Sequence, residues 1–311
     1  MQVYQGLDTF KPLKFGVVTA GTFDGVHIGH QKILHRISEI SHQNGGETVV
    51  ITFWPHPRLV LNKAGESELK LLSTIDEKIE LLDYQGIDHL VILPFTKEFS
   101  QMSPEDYVRK VYIEAIGTKK LVIGYDHRFG KNREGGLEYL QKNLNQFDFS
   151  VEEISRQDID DVGVSSTKIR QALEIGHIKT ANQYLGRAYQ ITGKVMHGDK
   201  LGRTIGFPTA NLQISENYKL IPADGIYAVK VNWQNQDLQG MIYIGNRPTL
   251  QGEQPKRIEV NIFDFNQDIY QESLKISFIE KIRDDQAFEN VEKMRLQLLE
   301  DGKIARQILG E

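Results

Sequence analysis

The stretch "GTFDGVHIGH", residues 21–30, follows the apolar run "FGVVTA" (15–20) and leads into "QKILHRISEI". That order describes a strand entering a helix through a glycine-rich loop. In an open parallel sheet, ligands collect outside the carboxyl ends of the strands. Gly21, Gly25 and Gly29 permit close backbone approach, and a helix start favours an anion. His27 and His30, three apart, share one face, and each can donate to a phosphate oxygen. A zinc site would need more ligands, and the chain has neither HExxH nor cysteine. The glycine spacing is not the GxGxxG of a dinucleotide turn. A purely structural turn is the remaining rival, and two histidines beside three glycines favour a phosphate site.

Outward from this loop, the first half alternates apolar runs with helical patterns. "TVVITF" (48–53), "HLVILPF" (89–95), "KLVIGYD" (120–126) and "FSVEEI" (149–154) read as further strands. Most are continuous and β-branched, as expected of strands covered on both faces. "TIDEKIELLDYQG" ends at Gly86, a C-terminal stop, and "SPEDYVRKVYIEAIG" opens on a Ser103 cap with Pro104 behind it. A parallel α/β domain follows. From about residue 190 the strands succeed one another without helices: "YQITGKVMHG", "IYAVKVNW", "LQGMIYIG", "RIEVNIFDF" and "LKISFIEKIR". That succession predicts an antiparallel sheet or barrel, closed by one or two amphipathic helices in the tail. The boundary is placed at Gly186, giving domains 1–186 and 187–311, with "STKIRQALEIGHIKTANQYLGRAY" as a helical connector closing the first.

Composition narrows the function classes. The chain has 311 residues, a net charge of −5 and no cysteine. Disulfides, thiolate metal sites and a cysteine nucleophile are excluded, and a reducing, cytoplasmic setting is expected. No signal-peptide core or membrane-length apolar run is visible, and no basic footprint for a nucleic-acid backbone. The expected partners are therefore small molecules, with no nucleic acid and no membrane.

Three more motifs stand out in the first half, the last two of them at strand ends. "GVSSTKIR" (163–170) offers Ser165, Ser166 and Thr167 as helix caps, with Lys168 and Arg170 adding charge. By itself it is a capped helix; beside the first loop it reads as a second phosphate clamp. "GYDHRFGKNREGG" (124–136) places Gly124, Asp126, Arg128 and Arg133 in a loop that faces a ligand or is merely charged. "TFWPHPR" (52–58) sets aromatics beside prolines, to stack on a ring system or to stiffen a turn. In the second half, "GKVMHGDKLGRTIGFPTANL" (193–212) has Gly198, Gly202 and Gly206 four apart but no Walker A pattern. Thr209 and Asn211 are two hard oxygen donors of the kind Mg²⁺ takes beside substrate phosphates. Glu259 lies inside an apolar strand, and alternation alone would turn it outward.

Together these strings resemble a known family. "GTFDGVHIGHQ", "TFWPHPR", "GYDHRFGKNREG" and "SSTKIR" are similar to the FAD synthetase domain of bacterial bifunctional riboflavin kinase/FAD synthetases, within the nucleotidyltransferase superfamily. "GRTIGFPTANL", "IPADGIYAV", "IGNRPTL", "IEVNIFDF" and "FIEKIRDDQAF" are similar, in order, to its riboflavin kinase domain. The resemblance implies a Rossmann-like α/β nucleotidyltransferase domain followed by an antiparallel β-barrel with a C-terminal helix. It implies that riboflavin is phosphorylated to FMN by ATP and that FMN is adenylylated to FAD with release of pyrophosphate. His27 and His30 would act on the ATP phosphates. Gly21, Phe23, Gly25, Gly29, Gly124, Asp126, Ser165, Ser166, Thr167 and Arg170 would bind ATP in the first half, and Gly198, Gly202 and Gly206 in the second. Phe53, Pro55, His56, Pro57 and Arg58 would meet the flavin, Thr209 and Asn211 would hold Mg²⁺–ATP, and Glu259 would be the base. The chain departs from the pattern at Trp54, where an acidic residue is frequent, and His127, where an aromatic is frequent. It departs again at Asn261, where histidine is common, and Gln271, where glycine is usual. A flavin-binding or flavin-sensing protein that has lost one or both activities is the alternative.

Overall fold

The structure is a computed structural model, described over residues 1–62, 68–154, 163–198, 206–245 and 256–310. It forms two compact units, Met1–Ser166 and Thr167–Glu311.

The first unit is built on a six-stranded parallel sheet. Its strands are β1 (Gln2–Gln5), β2 (Gly16–Ala20), β3 (Glu47–Trp54), β4 (His89–Pro94), β5 (Thr118–Gly124) and β6 (Ser150–Ile154), ordered β1-β4-β3-β2-β5-β6. The continuous apolar runs are explained by cover on both faces. Val18, Val49, Val91 and Leu121 enter one core, while their neighbours Val17, Val50, Leu90 and Val122 enter another. The second core is capped by α1 (Ile28–Asn44) through Leu34 and Ile37, and by α3 (Ile75–Tyr84) through Leu82. Between these elements lies the short α2 (Pro57–Leu61). The chain fills the sheet outward from β2 in one direction, then returns to place β5 on its other side. In parallel sheets ligands collect at the carboxyl ends of the strands that flank such a reversal, here β2 and β5.

Two elements of this unit differ from expectation. Strand β1, "QVYQ", is a largely exposed edge with too few apolar residues to signal a strand. The helix opened by Ser103 begins as α4 (Pro104–Tyr107), with Ser103 Oγ accepting from Asp106 N at 3.1 Å, and continues as a π-helix over Val108–Ile116. Winding by i→i+5 bonds brings residues five apart toward one face. Tyr107 and Tyr112 accordingly meet edge-to-face in the core, ring centres 5.2 Å apart. The unit is completed by α5 (Leu137–Asn143).

The second unit opens with α6 (Ser166–Glu174, its first residue still in the first unit) and α7 (Ile178–Leu185). The closed antiparallel barrel follows: β7 (Tyr189–Met196), β8 (Ala210–Gln213), β9 (Gly225–Trp233), β10 (Gln236–Gly245), β11 (Arg257–Ile262) and β12 (Ser273–Arg283), ordered β10-β11-β8-β7-β12-β9. Gln234 and Asn235, with φ of 49° and 63°, make the two-residue turn that joins β9 to β10. Strand β8 was hidden inside the glycine-rich stretch, where only four residues pair. Hydrogen bonds tie the connector to the barrel. Asn182 donates to Phe278 O (2.9 Å) and accepts from Tyr189 N (2.7 Å), and Ala223 N donates to Leu173 O (2.9 Å). Helices α6 and α7 therefore pack with the barrel.

The tail is one helix, α8 (Val291–Leu309), which lays Leu298, Ala305 and Ile308 on Ile226, Ala228 and Met241 of the barrel wall. Its register is fixed by a buried ion pair. Arg283 Nε and Nη2 donate to the two Asp301 oxygens at 2.9 and 2.8 Å, and Gln297 donates to Oδ1 at 3.0 Å. Asp301 is fully buried, so breaking the pair by removing one partner should be expensive. Asp301→Ala should lower stability in urea denaturation of the full chain by roughly 3 kcal/mol. Replacing both partners by apolar residues, Arg283→Met with Asp301→Leu, should recover most of that loss.

Candidate active sites

The loop at the end of β2 is curled by its backbone. Phe23, Gly25 and Val26 have φ of 46°, 79° and 37°. For a β-branched residue such as Val26 this is an outlier of the kind that clusters at functional sites, at about 1–3 kcal/mol each. The curl is held from beneath by Asp24. Its buried carboxylate accepts from Leu72 N (3.0 Å) and Ser73 N (3.2 Å), while Ser73 Oγ accepts from Gly25 N (3.2 Å). Lys78 lies buried on α3 with Asp24 as its charge partner; burial outweighs that attraction and pulls its amine down to about 8.

The curl delivers His27 to the first turn of α1. His27 Nδ1 accepts from His30 N at 3.4 Å, so the buried imidazole acts as the helix cap. A neutral ring accepting at Nδ1 carries its proton on Nε2, where it is a donor. The two imidazoles stack with centres 3.6 Å apart, and Phe23 leans on His30 at 5.1 Å. A Cβ on Gly21 would sit 3.2 Å from the Phe23 ring, a tight contact that the ring would have to ease. The second clamp meets the first here: Ser166 Oγ donates to Asp24 O at 3.1 Å, across 142 positions of sequence. Thr167, Lys168 and Arg170 fall in the second unit.

The other strand ends are more mixed. His56 is buried and caps α2, accepting from Arg58 N at 3.1 Å, and Pro57 opens that helix. Phe53 belongs to an aromatic cluster with Phe95 (5.9 Å) and Phe99 (6.0 Å). Pro55 and Arg58 are exposed, as is Asp126 after Gly124 on β5. His127, beside Asp126, is half-buried, with its Nε2 sealed from solvent. Burial first, then Arg128 and Arg133, push its imidazole down to about 4.

In the barrel, register assembles the site. Glu259 on β11 stands opposite Asn211 on β8 and Tyr243 on β10, and directly opposed residues share a face. Thr209 Oγ1 donates to Glu259 Oε2 at 3.4 Å, and Arg257 pairs with Oε1. Asn261 donates to Pro208 O at 2.8 Å and so pins the start of "FPTAN". Gly198 must be glycine, because a Cβ would fall inside the Asn211 amide. Gln271 takes φ of 67°, which accounts for glycine being usual there. Gly206 has φ of 83°, and Gly202 lies outside the described residues. Alternation alone would have turned Glu259 to solvent; its side chain is 16% exposed because the patch formed with Thr209 and Arg257 covers it.

These two constellations coincide with two family models. Residues 11–168 match the FAD synthetase model and residues 185–309 the riboflavin kinase model. A bifunctional riboflavin kinase/FMN adenylyltransferase of Listeria monocytogenes is 39% identical over 95% of this chain and 93% of its own. The enzyme of the same description from Escherichia coli is 32% identical over 100% and 98%. The chain belongs to the bifunctional riboflavin kinase/FMN adenylyltransferase family. A solved structure described as a macrolide-efflux protein from Streptococcus pneumoniae has the same fold, with a TM-score of 0.89 and 33% identity over 98% of this chain and 99% of that one. Among the described residues of this chain, no helix is long and apolar enough to cross a membrane. The expected parallel α/β domain and closed barrel with a terminal helix are both present, and nothing favours a flavin sensor that has lost its chemistry.

Sequence reasoning missed Asp24, Ser73 and Lys78 as supports of the family's first loop. Lys78 left a signal, since it falls on the apolar stripe between Ile75 and Leu82. Arg257 was missed because its partner is two residues along a strand, a spacing that means little until the strand is known. The depressed amine of Lys78 has a measurable sign. Between its folded value of about 8 and its unfolded value of 10.5, the unfolded chain binds more protons, so stability should rise with pH across that window. Lys78→Met should flatten this part of a melting-temperature profile.

Proposed function

We propose that FMN adenylylation is carried by residues 1–186 and riboflavin phosphorylation by residues 187–311, each on the constellation described above. The chain is an enzyme of flavin cofactor biosynthesis, a riboflavin kinase and FMN adenylyltransferase acting on riboflavin, FMN and ATP. The observation that carries the residue roles is the register of β11, which sets Glu259 against Asn211 with the Thr209 hydroxyl on its carboxylate.

In the kinase step, the ribityl 5′-hydroxyl gives its proton to Glu259 as its oxygen attacks the γ-phosphorus and ADP leaves. Thr209 and Asn211 fit Mg²⁺ as neutral oxygen donors, and Gly198 leaves the Asn211 amide the space it needs. Among the described residues no cluster of three acidic or histidine side chains forms a cage, which suits a cation held mainly by substrate phosphates. Bound there, Mg²⁺ would neutralise charge on the transferring phosphate.

In the adenylylation step, a phosphate oxygen of FMN attacks the α-phosphorus of ATP and pyrophosphate departs. The nucleophile is already an anion, so the site's work is positioning and charge stabilisation rather than proton removal. His27, with its Nε2 proton, and His30 donate to the ATP phosphates from the start of α1, where the helix amides add partial positive charge. Phe53 and the "WPHPR" turn face the flavin in this reading. We place the chemistry in the cytoplasm, where ATP is supplied.

Incubation with riboflavin, ATP and Mg²⁺ should yield FMN and then FAD; absence of both would refute the reading. His30→Ala should slow FAD formation by roughly 10²-fold while FMN still accumulates. Glu259→Ala should slow FMN formation by roughly 10²-fold or more, while FMN supplied directly still becomes FAD. Gly198→Ala should raise the KM for ATP in the first step only, by displacing Asn211.

A further inference from the structure

The two carboxylate oxygens of Glu259 are not equivalent. Oε2 accepts from the Thr209 hydroxyl at 3.4 Å, and Asn211 stands opposite the same residue on β8. Oε1 is sealed from solvent and pairs with the guanidinium of Arg257. Arg257 lies two positions earlier on β11, so both side chains leave the same face of the strand. Its counterpart across the ladder is Gly245 on β10. The space a side chain would take there is filled by the phenol of Tyr243, whose hydroxyl donates to Asp285 at 3.2 Å. The adjacent cation, Lys256, is committed elsewhere: its Nζ pairs with Asp224 and donates to Pro222 O, both at 3.0 Å. A carboxylate oxygen closed off from water needs a partner, and removing that partner is costly. An unpaired Glu259 would relieve the cost by turning Oε1 out to water, which would carry Oε2 away from Thr209.

We infer that Arg257 is a positioning residue for riboflavin phosphorylation: by holding Oε1 it keeps Oε2 on the side of Thr209 and Asn211, and Oε2 is the oxygen that takes the ribityl proton. As the hydroxyl oxygen bonds to the γ-phosphorus, the bond from that phosphorus to the bridging oxygen of ADP breaks and the proton passes to Oε2. The inference rests on Glu259 being the base of the kinase step. Two plainer roles for Arg257 make different predictions. A ligand for the ATP phosphates would act on the KM for ATP. An ion pair that served only the fold would matter equally with and without the Glu259 carboxylate.

The test is a double-mutant cycle on the full chain. Rates of FMN formation are measured with radiolabelled ATP, so that slow variants stay measurable, while riboflavin and ATP are varied in turn. Arg257→Met should lower kcat about 10- to 100-fold, the range expected when a reacting group is misplaced by about 1 Å. Both KM values should stay within about twofold, because substrate binding is not what the pair supports. In a Glu259→Gln background the same substitution should cost nothing further, since no carboxylate remains to be positioned. Arg257→Gln takes the place of Arg257→Met throughout if the latter does not fold. A raised KM for ATP with kcat retained, or an equal loss of kcat in both backgrounds, would overturn the inference. If Glu259→Gln makes FMN at the natural rate, it is the reading of Glu259 as the base that fails.

Discussion

A buried carboxylate governs the first site. Asp24 sits in the middle of a loop whose neighbours Phe23 and Val26 adopt left-handed backbone angles, and it has no solvent to satisfy it. Its oxygens are met by the amides of Leu72 and Ser73, from a segment nearly fifty positions away. Charge-assisted bonds of this kind are worth roughly twice a neutral one, enough to offset the backbone strain they stabilise. The geometry of the whole loop depends on that anchor. The curl presents His27 to the helix start, the helix start orients its tautomer, and the stacked His30 is positioned by both. The desolvated amine of Lys78 supplies positive charge behind the anchor without exposing it to solvent.

The barrel reaches the same end by different means. No loop strain is required to bring Glu259 and Asn211 together, because antiparallel register places them side by side on one face. What must be fitted is space. Gly198 gives its missing side chain to the Asn211 amide, and Asn261 ties down Pro208 so that Thr209 meets the carboxylate. The first constellation is positioned by a strained turn on a helix, the second by strand pairing.

Much of this was legible in the sequence, and the limits were physical. Long, doubly covered strands announce themselves through runs such as "TVVITF", because every side chain but the last is buried. The edge strand β1 and the four-residue β8 do not, since an exposed or very short strand needs no apolar run. The site motifs were visible as strings, yet His27 and His56 serve also as helix caps, a role that histidine spacing does not signal. Glu259 was readable only through family resemblance, because alternation would have sent it to solvent and cross-strand partners cannot be seen before register is known. The end of the helical pattern at Gly186 was visible in the sequence, whereas the bonds that Asn182 and Leu173 make with the barrel were not.

Those bonds bear on where the chain can be divided. The motif "SSTKIR" begins in one compact unit and ends in the other, with Ser166 on the Asp24 carbonyl and Arg170 nearly buried on a helix that packs with the barrel. No single peptide bond separates the halves cleanly. A break after residue 166 strips the first of most of the "SSTKIR" motif, and a break after 186 leaves it carrying two helices whose hydrogen-bond partners, Tyr189, Phe278 and Ala223, have gone.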